Sequence, residues 1–592
     1  MRCTHGPIRR SRCWRGVVAL IVAAVATLVV AQPRRPAPEA ASGWIDKAAV
    51  TSRHDMIAAA NPLAVDAGLR MLRAGGSAVD AAIAVQLVLN LVEPQSSGIG
   101  GGAFMLVHDA RTRKLIAYDG RETAPAAATP DRFLDDAGKP LSFVDAVVGG
   151  RSVGVPGTVA LLAATHRRHG RLPWARLFEP AIELAERGFA VSPRLFALLA
   201  AETRFAQPRA RAYFLEADGR PRAAGSILRN PAFAATLRNI AAGGADAFYR
   251  GDIARDVVDT ANTAPRNPGD LTLADLADYS VKVREPVCTR YRAYRVCGMP
   301  PPSAGGVTVL QMLGMLEPYD LAAMGPASFW SVHFISEAGR LAYADRGVYM
   351  ADPDFFPPPA GLLDRGYLLE RSSLIRANGS LGRARAGTPP VPVGARTLAR
   401  GANDALEFPS TSHLSIVDRN GNAVAMTTTI EDAFGSRLMT AGGFLLNNEL
   451  TDFAFVPVAN GKPVANRVEP GKRPRSAMAP TIVYDRAGRV RVVAGSSGGP
   501  AIVNHVVKTL IGVLDWELDP QAAIALPNFG SRNGPTELER GTSAAALEGR
   551  LRALGHETQV LEQPSGAQAI VRTQRGWIGG ADPRREGAVA GD

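Results

Sequence analysis

The sequence predicts an α+β fold, on three observations. Apolar residues recur at helical spacing from Asn61 to Glu93, alternation on both sides of Asn420-Gly421 marks a β-hairpin, and a strand, a glycine loop and an apolar helix follow one another from Val490 to Trp516. At 592 residues and 46% hydrophobic, the chain can bury one large core or several ordinary ones, which excludes disorder.

Taken in order, residues 1–31 carry Arg2, Arg9, Arg10, Arg12 and Arg15 and then an uncharged run of 16 residues, Gly16 to Ala31. Val29-Val30-Ala31 offers small residues for cleavage, so the segment reads as a secretory signal with the mature chain starting near Gln32. The run is shorter than the roughly 20 residues that span a bilayer comfortably, which makes an uncleaved N-terminal anchor the weaker alternative. Much of the +12 net charge lies in this segment. The rest interleaves Arg with Asp and Glu and lacks long basic runs, a solvated surface rather than a nucleic-acid partner.

The helical pattern of 61–93 breaks at Gly75-Gly76, so two packed helices are expected. Gly98-Ile99-Gly100-Gly101-Gly102 then precedes a strand, Ala103 to His108, whereas a dinucleotide-binding loop follows a strand and opens a helix. Further helical patterns occupy Pro156 to Gly188 and Ala327 to Met350. Between them, Cys288 and Cys297 bracket a hairpin-like stretch, and in an exported protein a disulfide is the expected state rather than two buried thiols. With two thiols and no nearby histidine, no metal site is expected. Residues 371–410 hold Pro389-Pro390, several glycines and little periodicity, and read as a long exposed connection after a core of 45–370.

The hairpin follows, with strands His413–Val417 and Ala423–Thr429. A turn centred on Asn420-Gly421 sets Thr429 opposite Ser412 and within one register step of Thr411, so two threonine hydroxyls meet at the hairpin mouth. Strand alternation turns His413 away from Ser412, and it reads as structural. The loop Gly495-Ser496-Ser497-Gly498-Gly499, between a strand and a helix, offers backbone N–H groups to an anion.

Ser410-Thr411-Ser412-His413-Leu414-Ser415-Ile416-Val417-Asp418 resembles the junction that gamma-glutamyltransferases cleave. In the same order as that family's motifs stand Gly98–Phe104, Arg121-Glu122, Pro156-Gly157-Thr158, Met299–Gly306, Tyr343–Arg346, Leu445–Phe453, Lys472-Arg473-Pro474, Gly498-Gly499 and Asp582-Pro583-Arg584, so the resemblance covers roughly residues 45 to 585. It implies an N-terminal-nucleophile hydrolase: a four-layer αββα sandwich built by two subunits of one precursor, a large one of about 32–410 and a small one of 411–592. It implies self-cleavage between Ser410 and Thr411, after which Thr411 attacks gamma-glutamyl amides, glutathione foremost, and passes the acyl group to water or to an amino acid or peptide. The chemistry supplies the reason. A hydroxyl is a weak nucleophile until a base takes its proton, and a freed α-amine with a pKa of roughly 7.7 to 8.0 is such a base on the same residue.

Carried over residue by residue, Thr429 bonds the Thr411 hydroxyl, and Gly498 and Gly499 donate to the oxyanion. Arg121 and Ser476 hold the donor's α-carboxylate, Glu449 and Asp452 its α-ammonium, and Glu431 stands where relatives carry Asn or Glu. An Arg fork suits a carboxylate and paired carboxylates suit a cation. No cofactor is implied. Singly, these residues read as ion pairs, Thr427 to Thr429 as ordinary strand formers, and Glu431 as a residue that merely closes the strand. One departure stands out: relatives often carry two adjacent serines where this chain has Ser476-Ala477. The segment Ala454–Gly471, a lid in some relatives, has no tyrosine here.

Three alternatives remain. A glutaryl cephalosporin acylase uses the same scaffold on donors that lack the ammonium. A serine hydrolase would use Ser497 in a G-x-S-x-G turn, with Asp519 and His556 following in the required order. A matured binding protein without turnover would keep the fold alone.

Overall fold

The computed structural model describes residues 1–3, 43–391, 400–401 and 410–592. The expected signal beyond its first three residues, and 392–399 and 402–409 of the expected connection, lie outside the described residues. Residues 43–592, where described, belong to one compact unit.

Numbered along the chain, the strands of the two large sheets are, in the first half, β1 (Val50–Ser52), β2 (Met56–Ala59), β3 (Gly102–Asp109), β4 (Lys114–Gly120), β5 (Lys282–Arg284), β6 (Val287–Tyr291) and β7 (Tyr294–Gly298). Those of the second half are β8 (Thr411–Val417), β9 (Ala423–Thr429), β10 (Thr481–Tyr484), β11 (Val490–Gly495), β12 (Gln568–Thr573), β13 (Gly576–Ala581) and β14 (Ala588–Gly591). They form two seven-stranded sheets, ordered β14-β2-β8-β9-β3-β4-β5 and β1-β13-β12-β11-β10-β7-β6. Neighbours run antiparallel throughout both.

Helices cover the outer faces. α1 (Pro62–Arg73) and α2 (Ala78–Val92) are the two helices expected from the break at Gly75-Gly76. Their boundaries are local chemistry: the Asn61 side chain accepts the Leu63 amide with Pro62 next, and Ser77 with Asp80 forms a reciprocal capping box. α2 is apolar nearly all round and buried along its whole length. On the other side α3 (Ala304–Leu316) and α5 (Ile502–Leu514) pack on the second sheet, and α4 (Phe329–Tyr349) packs against α3. Helix, sheet, sheet and helix make the four layers.

Strand alternation assigns each residue of the central hairpin to a face. Leu414, Ile416, Val424 and Met426 point into the core under α1 and α2. Val417, Ala423 and Ala425 point to the second sheet, and the face they share carries Thr411, His413, Ser415, Thr427 and Thr429. The hairpin mouth therefore opens between the sheets. Cys288 and Cys297 pair across β6 and β7 and are joined by a disulfide.

Candidate active site

Thr411 starts β8 and lies directly opposite Thr429, the last residue of β9; Thr428, not Thr429, faces Ser412. The one-residue difference from the sequence expectation arises in the turn. Asp418 N–H donates to Asn422 O at 3.0 Å, and the Asp418 carboxylate accepts the amides of Asn420 and Asn422 at 2.9 and 3.0 Å. The loop is thus three residues, Arg419 to Gly421, where a two-residue turn was expected. Both threonines are almost fully buried.

The Thr429 hydroxyl donates to the Ser410 carbonyl at 2.7 Å and accepts the Glu431 amide at 2.8 Å. With the 410–411 peptide continuous, its proton is thus spent on that carbonyl rather than on the Thr411 hydroxyl. Ser410 is held in turn, its hydroxyl donating to Gln95 O at 2.5 Å. The glycine cluster before β3 permits this closeness, because a Cβ at Gly101 would fall 2.1 Å from the Thr429 carbonyl oxygen.

One small cavity is lined by Thr411, Thr429, Arg121, Glu431, Glu449, Asp452, Ser476, Ala477 and Gly499. Its free space, about 20 Å³, is on the order of one water. Arg121 fills the middle. Its guanidinium pairs with Glu449 and Asp452, and its Nε and Nη2 donate to the carbonyls of Pro474 and Arg475 at 3.2 and 2.9 Å. Glu449 and Asp452 share one turn, Glu449–Asp452, which puts residues three apart on the same side. The residues read as a carboxylate clamp and an ammonium clamp therefore hold one another here. Ser476 lies beside them with its hydroxyl accepting the Met478 amide at 3.1 Å, and Ala477 adds only a methyl group.

Glu449, Asp452 and Glu122 all act on this guanidinium, and burial penalises carboxylates gathered in this way. Burial pushes Glu122 up to about 7 against the pull of Arg121. Burial first, then Asp452, Asp432 and Glu449, raises Glu431, which Asn448 holds through its side-chain amide. Burial, with Glu122, also raises Glu449, and Arg121 opposes that rise. Glu122 and Asn448 sit inside the motifs quoted from the sequence, yet no role was drawn for them, since only the folded arrangement brings them to the cavity.

His413 bonds Thr427 Oγ1 at 2.9 Å and Ser415 Oγ at 3.0 Å, and burial lowers it to about 3, so it stands neutral between strands. The serine-hydrolase set is not assembled. Ser497 Oγ donates to the Ser565 carbonyl, Asp519 caps a helix through the amides of Gln521 and Ala522, and His556 bonds Thr536 and His333. Among the described residues His333, Glu337 and His556 have metal-like spacing. Their atoms are committed to Arg376 O, Arg340, Ser380, Leu381 N and Thr536.

The model of the family described as gamma-glutamyltranspeptidase matches residues 64–592. The chain belongs to the gamma-glutamyltranspeptidase family. It is 36% identical over 546 residues to the glutathione hydrolase proenzyme of Bacillus subtilis (strain 168), covering 90% of this chain and 91% of that protein. It is 34% identical over 557 residues to the acylase ACY 1 proenzyme of Pseudomonas sp. (strain V22), covering 92% and 95%. Among solved structures, the cephalosporin acylase from Bacillus halodurans superposes with a TM-score of 0.79 at 27% identity, covering 95% of this chain and 99% of that one. Membership of the gamma-glutamyltranspeptidase family makes the chain an enzyme of the N-terminal-nucleophile hydrolase class and agrees with the αββα sandwich expected from its motifs.

Proposed function

We propose that this chain is an exported gamma-glutamyltransferase and glutathione hydrolase that cuts itself between Ser410 and Thr411 and then uses Thr411 as its nucleophile. The observation that carries the reading is the placing of Thr411 at the start of a central strand, beside a buried set of Arg121, Glu449 and Asp452 and with Thr429 bonded to the Ser410 carbonyl. The disulfide between Cys288 and Cys297 favours an oxidising compartment. Among the described residues no helix is long and apolar enough to cross a membrane.

In the first step the Thr411 hydroxyl adds to the Ser410 carbonyl, and the Thr429 hydroxyl steadies the charge that develops on its oxygen. The C–N bond breaks as nitrogen takes the proton, leaving an ester on Thr411, which water hydrolyses to a Ser410 carboxylate. The freed α-amine is then the base for the Thr411 hydroxyl. In turnover that hydroxyl attacks the gamma-glutamyl carbonyl, the C–N bond breaks and the donor's amine leaves with the proton, and water or an acceptor amine releases the acyl group. Gly498 and Gly499 supply N–H groups to the tetrahedral oxyanion. The donor's ammonium takes Glu449 and Asp452, with Glu431 behind, and its carboxylate takes Arg121 with Ser476. Each ligand charge replaces a partner that the resting site already provides, so neither set is left unpaired.

This assignment predicts a pH dependence. Because burial first of all raises Glu431 and Glu449, these carboxyls take up protons at higher pH than free carboxyls do and then cease to face the ammonium as anions. The KM of gamma-glutamyl donors should therefore rise as pH falls, whereas that of glutaryl donors, which carry no ammonium, should change little.

The likeness to the acylase ACY 1 proenzyme and to the cephalosporin acylase favours a second reading, an acylase acting on glutaryl side chains, which keep the donor's terminal carboxylate and lack only its ammonium. Incubating the purified protein with glutathione, a gamma-glutamyl anilide and a glutaryl cephalosporin, with and without glycylglycine, separates the two. Turnover of the first two donors supports the proposal; turnover of the cephalosporin alone refutes the substrate assignment.

A further inference from the structure

Residues far from Thr411 in the sequence converge on the glycine loop behind the cavity. The loop 495–499 joins β11 to α5, and its two serines point away from Thr411 toward a second loop, 565–566, that precedes β12. One oxygen receives both. The Ser565 carbonyl accepts the Ser497 amide at 3.1 Å, the Ser497 hydroxyl at 3.0 Å and the Ser496 hydroxyl at 2.7 Å. The two loops are closely apposed, since a Cβ at Gly566 would lie 2.3 Å from Ser497 Oγ.

The second loop is itself fixed by the buried Asp582. One carboxylate oxygen of Asp582 accepts the Ser565 hydroxyl and the Gly566 amide, and the other accepts the Arg584 amide at 2.9 Å and its Nη1 at 3.1 Å. Arg584 continues the chain to Glu539 and to the carbonyl of Leu526. Burial alone would push Asp582 up, but Arg584 and the Ser565 hydroxyl outweigh it and hold the carboxyl at about 2, so it accepts these bonds as an anion at any working pH.

We propose that Ser565, held by Asp582, is a positioning residue for the Gly498-Gly499 donors, fixing the loop through Ser496 and Ser497 without touching substrate. The proposal rests on reading those two glycines as the oxyanion donors of turnover. It makes a distinction that a merely structural role does not. In self-cleavage the attacked carbonyl belongs to Ser410 and is already bonded by Thr429, so the loop matters only to turnover.

The test compares Ser565→Ala, Ser496→Ala and the double variant in the full chain, reading self-cleavage on denaturing gels and kcat and KM on a gamma-glutamyl anilide. A donor displaced by a fraction of an ångström loses much of its effect, so each single variant should cut itself at the normal rate, keep KM within about twofold and lose about 10- to 100-fold in kcat. Because both act through one loop, the double variant should be little worse than the poorer single one. Cleavage that fails together with turnover, unchanged kcat, or fully additive losses would each overturn the proposal. A wild-type protein that turns over no donor would remove the reading beneath it and the proposal with it.

Discussion

Thr411→Ala is expected to leave the chain uncut and without turnover. The hydroxyl is the only group of residue 411 able to add to the Ser410 carbonyl, and the residue lies in a buried strand whose pairing with Thr429 does not depend on that hydroxyl. The variant should therefore fold, with the strand hydrogen bonds of β8 and β9 intact. Losing the nucleophile of an acyl-transfer enzyme costs on the order of 10⁴ or more in rate, because the remaining donors and charges can only bind and polarise. Ser497→Ala provides the contrast. Its hydroxyl is turned to the Ser565 carbonyl rather than to a histidine, so that variant should still cut itself. Gel analysis of both proteins after expression checks the pair, and a cleaved Thr411→Ala would refute self-processing through this residue.

Asp452→Ala carries the second large effect. Asp452 is buried and pairs with Arg121 at 2.5 Å. Removing one member of a buried charged set costs about 2 to 5 kcal/mol, much of it from the partner left behind. On the proposed assignment the loss falls on the donor's ammonium as well, so kcat/KM on glutathione should drop roughly 30-fold to several thousand-fold. Self-cleavage should persist, since Ser410 and Thr411 are held by Thr429, Gln95 and their strand neighbours. Steady-state kinetics with glutathione alongside a glutaryl donor checks this. An Asp452→Ala protein with unchanged kinetics on both donors would mean the glutamate pocket has been misassigned.

The elements whose signals are local were legible. Helical spacing from Asn61 to Glu93 with its break at Gly75-Gly76 marks two helices, and alternation around Asn420-Gly421 marks the hairpin. The register of that hairpin was not, because one Asp418 side chain converts a two-residue turn into a three-residue loop, and periodicity does not report such a bond. The site residues came from ordered motifs, and the fold brings Arg121, Thr411, Thr429, Glu431, Glu449, Asp452 and Ser476 to one cavity. Their mutual pairing was hidden, since Arg121 and Glu449 are 328 positions apart and each looks complete as a ligand for something else. Glu122 was hidden for a related reason. Its neighbour Arg121 suggests an ion pair, while the structure buries it beside another acid. The bond from Asp582 to Ser565 likewise appears only when β12 and β13 are paired and the loops at their ends meet.

N-terminal sequencing of the smaller polypeptide in purified, active protein tests the central claim most directly. The account predicts two chains on a denaturing gel, with the smaller beginning Thr411-Ser412-His413. Active protein that remains a single chain, or a small chain that begins at any other residue, would contradict it.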